Sequence, residues 1–345
     1  MKALLYSDLQ ATDGHERCFA DASVPLQLWR VRRFYAELKR LFDKHACGCL
    51  WDLGDTTDDR SYLPMSAIDA VLEGLEPFPV DELNFKLIGN HEQYLRDTTK
   101  HIGRLFSHKF SVIHSTEVFE IDDNTLVVCA AYPASDAALG AWLSETAYKY
   151  RNYERKILLG HFQMVGCHLN NGVAVTGIGA NLIQRFTLAL LGHIHKPQSL
   201  DSVHYVGSPF QQNFGEKNEV KRVGVLDLET LALTWITLEG FPEYRVLDYP
   251  KWIKTVQKGE EHRYQVILRN PNQAEAYYSH PLMTYGEPSY AYELDSTAKS
   301  ESVVRQTWTK DDVMRRWVER TPPGSRQLSM SPDDLLEVGK VIAET

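Results

Sequence analysis

Short apolar runs in this chain end repeatedly on a glycine followed at once by Asp, Asn or His: Gly54-Asp55, Gly89-Asn90, Gly160-His161 and Gly192-His193. A further run, residues 2–7, closes directly on Asp8. Continuous apolar runs of this length, bounded by breaks, predict strands buried on both faces. Such strands must be covered on both sides, which restricts the chain to layered α/β architectures. Glycine ahead of the polar residue allows a sharp exit, because positive φ costs it little. Strand tips of this kind are where α/β sheets gather their ligands.

Between the first three runs (2–7, 49–53 and 85–88) the periodicity changes. Leu28, Val31, Leu38 and Leu41, joined by Phe34, Tyr35 and Phe42, recur at helical spacing across 25–45, and Met65, Ile68, Val71, Leu72 and Leu75 do so across 64–76. The alternation predicts right-handed crossovers and parallel strands. From about residue 110 strand-like pieces dominate: Ser111–His114, Val118–Ile121, Leu126–Ala131, Lys156–Leu159, Val173–Val175, Ala189–Leu191, His204–Val206, Arg222–Asp227 and Leu233–Thr237. Helix is expected among them only at 138–150 and 179–186. These pieces imply a second sheet stacked on the first, giving a four-layer αββα sandwich of the α/β class. The pattern breaks near Phe241-Pro242-Glu243-Tyr244. We therefore expect a sandwich domain over 1–243 and a small α+β cap over 244–308, with strands near Arg263–Leu268 and Tyr290–Leu294. C-terminal helices are expected over 309–345, opened by the capping signatures Thr309-Lys310-Asp311-Asp312 and Ser331-Pro332-Asp333-Asp334.

Composition narrows the function classes. The 345 residues carry 37 basic and 46 acidic side chains, a net charge of −9. That balance excludes indiscriminate attraction to nucleic acid by global charge, but not a local site that supplies its own cations. A 43% hydrophobic, 24% charged chain is not disordered wholesale. No apolar run approaches the roughly 20 residues needed to span a bilayer, and residues 1–8 are too short an apolar stretch for a secretory signal. The cysteines at 18, 47, 49, 129 and 167 are odd in number and sit in apolar segments. Cys47-Gly48-Cys49 is the wrong spacing for a zinc knuckle, so we expect reduced thiols and a cytoplasmic protein.

The polar residues at the run ends are Asp8, Asp55, Asn90, His161, His193 and His195. Together they offer hard oxygen and imidazole nitrogen, a set suited to Mn2+, Fe2+ or Zn2+. The absence of cysteine among them argues against a closed structural zinc site. Six donors exceed what one tetrahedral ion needs and suit a two-metal site bridged by a carboxylate. Any single Gly-His pair is unremarkable, and so is a His-x-His pair, whose members would share one face of a strand. It is the ordered set, each member at a run end, that points to chemistry. His45, His101, His108, His114, His168, His262 and His280 read as ordinary surface or core residues.

The series Asp8-x-Gln10, Gly54-Asp55-x-x-Asp58, Gly89-Asn90-His91-Glu92, Gly160-His161 and Gly192-His193-Ile194-His195 resembles the calcineurin-like metallophosphoesterase superfamily across residues 1 to about 240. Lys196-Pro197 and the segment Tyr205-Val206-Gly207-Ser208-Pro209-Phe210-Gln211-Gln212-Asn213-Phe214-Gly215-Glu216 further resemble the SbcD branch, nuclease subunits of double-strand-break repair and recombination complexes, phage-encoded ones included. The resemblance implies a DNA exo- and endonuclease that hydrolyses phosphodiester bonds with a water activated by two divalent ions. Mn2+ is expected first, with Mg2+, Fe2+ or Zn2+ as alternatives. It implies that Asp8, His195 and Gln10 hold one ion, Asp55 bridges, and Asn90, His161 and His193 hold the other. His91 would protonate the leaving oxygen, and Asp58 and Glu92 would orient neighbours. It also implies DNA, an SbcC-type coiled-coil ATPase and a second copy of the chain as partners.

This sequence departs from the family at Gln10, where histidine is usual; an amide oxygen is a weaker donor than imidazole. His15 is the nearest replacement. Two other functions use the same residues: a phosphatase or small-molecule phosphodiesterase with this metal core, or a scaffold in which Gln10 has weakened the site. In the cap, Lys251, Lys254, Lys258, Arg263 and Arg269 are interspersed with acids and form no basic patch. In the tail, Val313, Trp317, Leu335, Leu336, Val338 and Ile342 either pack on the parent domain or offer an apolar surface to the ATPase.

Overall fold

Alternation along the strand Lys2–Tyr6 shows how the layers are made. In the computed structural model, Ala3 and Leu5 join the core between two sheets, while Leu4 and Tyr6 join the core beneath the helices Leu26–Lys44 and Met65–Leu75. Successive side chains of a strand point to opposite faces, so a strand apolar at every position has core on both sides. The structure describes residues 1–13, 19–21, 24–60, 62–94, 100–257, 262–283 and 286–290. The chain divides into two units, Met1–Tyr292 and Glu293–Thr345. The second lies outside the described residues, together with the expected helices over 309–345, His15 and Cys18.

The first sheet runs in the order Leu233–Thr237, Arg222–Asp227, Lys2–Tyr6, Cys49–Asp52, Phe85–Leu87 and Ser111–Ile113. From Lys2–Tyr6 to Ser111–Ile113 the neighbours are parallel, as the crossover helices require; the two strands at the other edge are antiparallel. The second sheet runs Gln198–Leu200, Val203–Tyr205, Leu188–Gly192, Arg155–His161, Thr125–Ala130 and Thr116–Asp122. Its four central strands are parallel and both edge strands antiparallel. Ala3, Leu5, Trp51 and Phe85 from the first sheet meet Val127, Cys129, Ile157, Leu159 and Leu190 from the second. The outer face of the second sheet buries Leu126, Leu158 and Leu191 with Leu139 and Leu143 of the helix Asp136–Lys149. Two mixed sheets with helices outside are the sandwich the sequence leads one to expect.

Departures from the sequence reading lie at edges. Val173–Val175 is not a strand. Leu169 N–H donates to the Val173 carbonyl and Val175 N–H to the Cys167 carbonyl, so the segment folds back on its own loop. Its β-branched residues gave a propensity signal with no sheet edge to join. Gln198–Leu200, too polar to signal a strand, pairs back on Val203–Tyr205. Beyond Phe241 the three strands Tyr244–Asp248, Arg263–Leu268 and Gly286–Tyr290 form a parallel sheet. The helices Tyr249–Thr255 and Pro271–Tyr278 accompany it, and Trp252, Tyr264, Val266, Leu268 and Tyr277 form its core. Its last described strand lies ahead of the expected Tyr290–Leu294, whose residues from 291 on are outside the described set.

Among the described residues no helix is long and apolar enough to cross a membrane. Cys47, Cys49, Cys129 and Cys167 are buried free thiols. Leu159 is fully buried between the sheets. Leu159→Ala should therefore lower stability by about 2–5 kcal/mol, read as a lower urea midpoint at unchanged slope.

Candidate metal centre

The two sheets deliver their polar residues to one end. Asp8 follows Lys2–Tyr6, Asp55 follows Cys49–Asp52, and Asn90 and His91 follow Phe85–Leu87. From the second sheet His161 ends Arg155–His161, and His193 and His195 follow Leu188–Gly192. The exits are sharp. Asp8, Gln10, Asp55 and His193 have φ of 53°, 48°, 54° and 84°. Left-handed backbone at a residue with a Cβ costs of order 1–3 kcal/mol and persists only where the surroundings over-determine it. Here they do: Asp8 N–H donates to the Gly54 carbonyl at 2.9 Å, Gln10 N–H to the Asp55 carbonyl at 2.9 Å and Ala11 N–H to the Thr56 carbonyl at 2.7 Å.

The expected role of the glycines holds only at Gly54, with φ of 105°. Gly89, Gly160 and Gly192 are needed for closeness instead. A Cβ at Gly89 would lie 2.0 Å from Asp55 Oδ1, at Gly160 2.3 Å from Phe162 Cε1, and at Gly192 2.1 Å from Ser7 Oγ and 2.7 Å from the Leu53 carbonyl. The strain falls on the polar residues, and the glycines let the loops pack against them.

At the centre, Asp55 and His161 are buried. His161 Nδ1–H donates to the Leu53 carbonyl at 2.6 Å, which leaves Nε2 facing the centre. That Nε2 makes no hydrogen bond, although Asp55 Oδ2 lies 3.2 Å away. A buried nitrogen and a carboxylate oxygen side by side without alignment are what two ligands of one cation look like. Donor atoms of Asp55, His161 and His193 lie within 4.8 Å of one another. His193 Nδ1 is 2.7 Å from Asn90 Oδ1, and His193 N–H donates to both Asp8 carboxylate oxygens at 3.1 Å. His195 Nε2 is 4.0 Å from Asp8 Oδ1 and 3.1 Å from Gln10 Nε2. Thus Asp8, Gln10, Asp55, Asn90, His161, His193 and His195 all come together.

His91 stands at the rim with its side chain 34% exposed. Its ring Nδ1 engages the Asp58 carbonyl, its main-chain N–H donates to Asp55 Oδ1 at 2.9 Å, and its Nε2 is 4.0 Å from Asp55 Oδ2. Asp58 therefore meets His91 chiefly through its main chain, its carboxylate standing 3.8 Å off. Glu92 accepts N–H bonds from Asp55 at 3.2 Å, Thr56 at 3.0 Å and Gly89 at 3.1 Å. Among the other histidines, His101 and His114 stack on each other with ring centroids 5.3 Å apart.

Burial and charge set the protonation states. Burial alone would depress His161, but the Asp55 carboxylate outweighs it and raises the pKa to about 9. Burial pushes His193 down to about 3, helped by the neighbouring His161. Burial opposes ionisation of Asp55, yet His161 and His91 hold its carboxyl below the usual range. Asp8 is raised by burial.

Sequence reading did not assign a role to Lys86 or Glu216, which lie beneath the ligands. Lys86, fully buried, pairs with Asp52 at 2.9 Å and Glu92 at 2.8 Å. Burial would discharge it, but the two carboxylates keep its pKa raised. A lysine within the apolar Phe85–Leu87 strand was the available signal. Glu216, also fully buried, accepts from His195 Nδ1–H at 2.9 Å and pairs with Lys221 at 2.6 Å. A carboxylate behind a histidine fixes the ring so that its other nitrogen faces forward. Nothing in local spacing marked Glu216 for this.

No family model matches the sequence. Among curated proteins the chain is similar to the SbcD component of the nuclease SbcCD from Staphylococcus epidermidis, 29% identical over 122 residues. The match covers 32% of this chain and 33% of that protein, so it spans about a third of the relative's length. The sequence is similar to the SbcD type of metallophosphoesterase. Similar solved structures include a dimetal phosphatase from Danio rerio, 13% identical over 69% of this chain and 99% of that one, with a TM-score of 0.39. The calcineurin-like phosphoesterase YfkN from Bacillus subtilis is 14% identical over 69% and 88%, TM-score 0.36. An archaeal phosphodiesterase is 15% identical over 69% and 100%, TM-score 0.34.

Lys86→Met should cost about 3–5 kcal/mol, because it leaves two buried carboxylates unpaired; chemical denaturation reads this directly. A pH test follows from Glu216. Burial would raise its pKa, but the His195 and Lys221 contacts hold it at about 2 against an ordinary 4.5. A carboxyl depressed on folding stabilises above its unfolded pKa, and that contribution is lost as pH falls from about 4.5 towards 2. The urea midpoint of metal-free protein should fall over that window, and Glu216→Gln should flatten the fall.

Proposed function

We propose that this chain is a metal-dependent phosphodiesterase that cleaves DNA, working as the nuclease subunit of an SbcCD-like complex. The observation that carries the reading is the unaligned approach of His161 Nε2 to Asp55 Oδ2, 3.2 Å apart in a buried site that also gathers Asn90 and His193. Oxygen and imidazole donors without thiolate fit Mn2+ and its neighbours. Asp55 would be shared between two ions, Asn90, His161 and His193 would complete one, and Asp8, Gln10 and His195 the other. Divalent ions held there would polarise the phosphoryl group and neutralise its charge. Of the chain's own residues, His161 and His195 are aimed by the Leu53 carbonyl and Glu216, which hold Nδ1–H and turn Nε2 inwards. His91 has its Nδ1–H on the Asp58 carbonyl, so it would act on the leaving oxygen as an imidazolium, giving up the second proton from Nε2 and keeping the one on Nδ1.

The sandwich over 1–243 would be the catalytic body and 244–308 the cap. The 309–345 segment, outside the described residues, would dock an SbcC-type coiled-coil ATPase. With a net charge of −9, that partner would supply much of the affinity for DNA. A weakened site is the second reading, favoured by the Gln10 amide nitrogen 3.1 Å from His195 Nε2, where it donates to the lone pair a cation would use.

Mn2+-dependent cleavage of linear and nicked DNA, beside a chromogenic phosphodiester, tests the assignment. Asp55→Asn, whose amide tolerates the left-handed backbone, should lose stoichiometric metal and nearly all activity. His91→Ala should keep its metal and lose about 10²–10⁴ in kcat. Purification without metal and indifference to both changes would leave only a scaffold. Gln10→His should tighten Mn2+ binding by about 10-fold or more, measured by metal titration.

A further inference from the structure

Beside His91 opens a groove of about 540 Å3. None of the candidate metal ligands lines it. Arg60, Lys100 and Arg104 line it and are exposed. Among the described residues none of the three makes an ion pair, although this is an acidic chain. The acids that share the lining are occupied: Asp59 Oδ1 accepts from Tyr62 N–H, and Glu92 is paired with Lys86. Tyr94 and Leu105, 58% and 48% exposed, add a large apolar surface to the same lining. Exposed cations interleaved with an exposed aromatic ring make a surface for a strand whose phosphates are anionic and whose bases carry π-faces.

We propose that this groove binds an unpaired nucleotide on the leaving-group side of the scissile phosphate, so that the substrate is single-stranded or frayed at that point. Only the direction rests on the function proposed above, in which His91 faces the leaving oxygen. Divalent ions held by the metal ligands would neutralise the scissile phosphate itself, so Arg60, Lys100 and Arg104 serve the phosphates that flank it. Tyr94 stacks on a base, which a base inside a duplex is not free to accept. The groove thereby selects strand state rather than sequence.

Fluorescence anisotropy of the full chain in EDTA, with a labelled oligothymidylate and a blunt duplex of the same length, both long enough for the duplex to stay paired, tests binding independently of cleavage. The single strand should bind more tightly than the duplex. In the double variant Arg60→Gln, Arg104→Gln its Kd should rise at least about tenfold, and the slope of log K against log salt should fall by about 1.4, at about 0.7 per cation on a single strand. Tyr94→Ala should raise Kd about fivefold or more with the slope kept. With Mn2+ added, the double variant should also lower the ratio of kcat/KM for the oligonucleotide to that for bis-(p-nitrophenyl) phosphate at least about tenfold. Equal binding of duplex and single strand, no binding by the wild type, variants within twofold of wild type, or equal loss on both substrates would each overturn the proposal. If the wild type binds the strand as described and cleaves neither substrate, the groove stands and the phosphodiesterase reading fails.

Discussion

A buried charge holds the ligand loops in place. Glu92 lies beneath two turns at once, accepting main-chain N–H groups of Asp55, Thr56 and Gly89, and it pairs with the equally buried Lys86. An isolated carboxylate there would be driven neutral by desolvation and would bind those N–H groups less strongly. Lys86 offsets that cost, and Asp52 shares the same ammonium while capping the turn through Gly54 N–H. Asp55 can thus sit in left-handed backbone with its carboxylate facing the centre. Without this layer the six donors would still be present in the sequence and would have no fixed geometry.

Much of the fold was legible because it follows from period and continuity. The helix expected at 25–45 is Leu26–Lys44, that at 64–76 is Met65–Leu75, and the strands over 222–227 and 233–237 agree to the residue. What escaped was decided by tertiary context. Gln198–Leu200 is a strand only because Val203–Tyr205 offers it an edge. Val173–Val175 has strand composition and no partner but its own loop. Tyr244–Asp248 was concealed by a polar, proline-flanked stretch whose burial depends on elements more than a dozen residues downstream.

At the site the split is similar. Residues that touch the centre are recognisable by type at strand ends, as Asp8, Asp55, Asn90, His161, His193 and His195 are. Residues that act one bond further out, such as Glu216 behind His195 or Gln163 beside His193 at 3.0 Å, belong to loops whose approach only folding defines. The glycines teach the same lesson: their presence was visible, but at Gly89 and Gly192 the reason is a neighbour from a distant segment.

The centre draws Asp8, Asp55 and Asn90 from one sheet and His161, His193 and His195 from the other, and it is stitched across by His161 to Leu53, His193 to Asp8 and His193 to Asn90. Its geometry is therefore a gauge of how the two halves of the sandwich are seated. Interiors behave as close-packed solids that pass displacement on. A slip of the sheets by a fraction of an ångström, too small to show as unfolding, would be read out first as cations that no longer share a common set of donors.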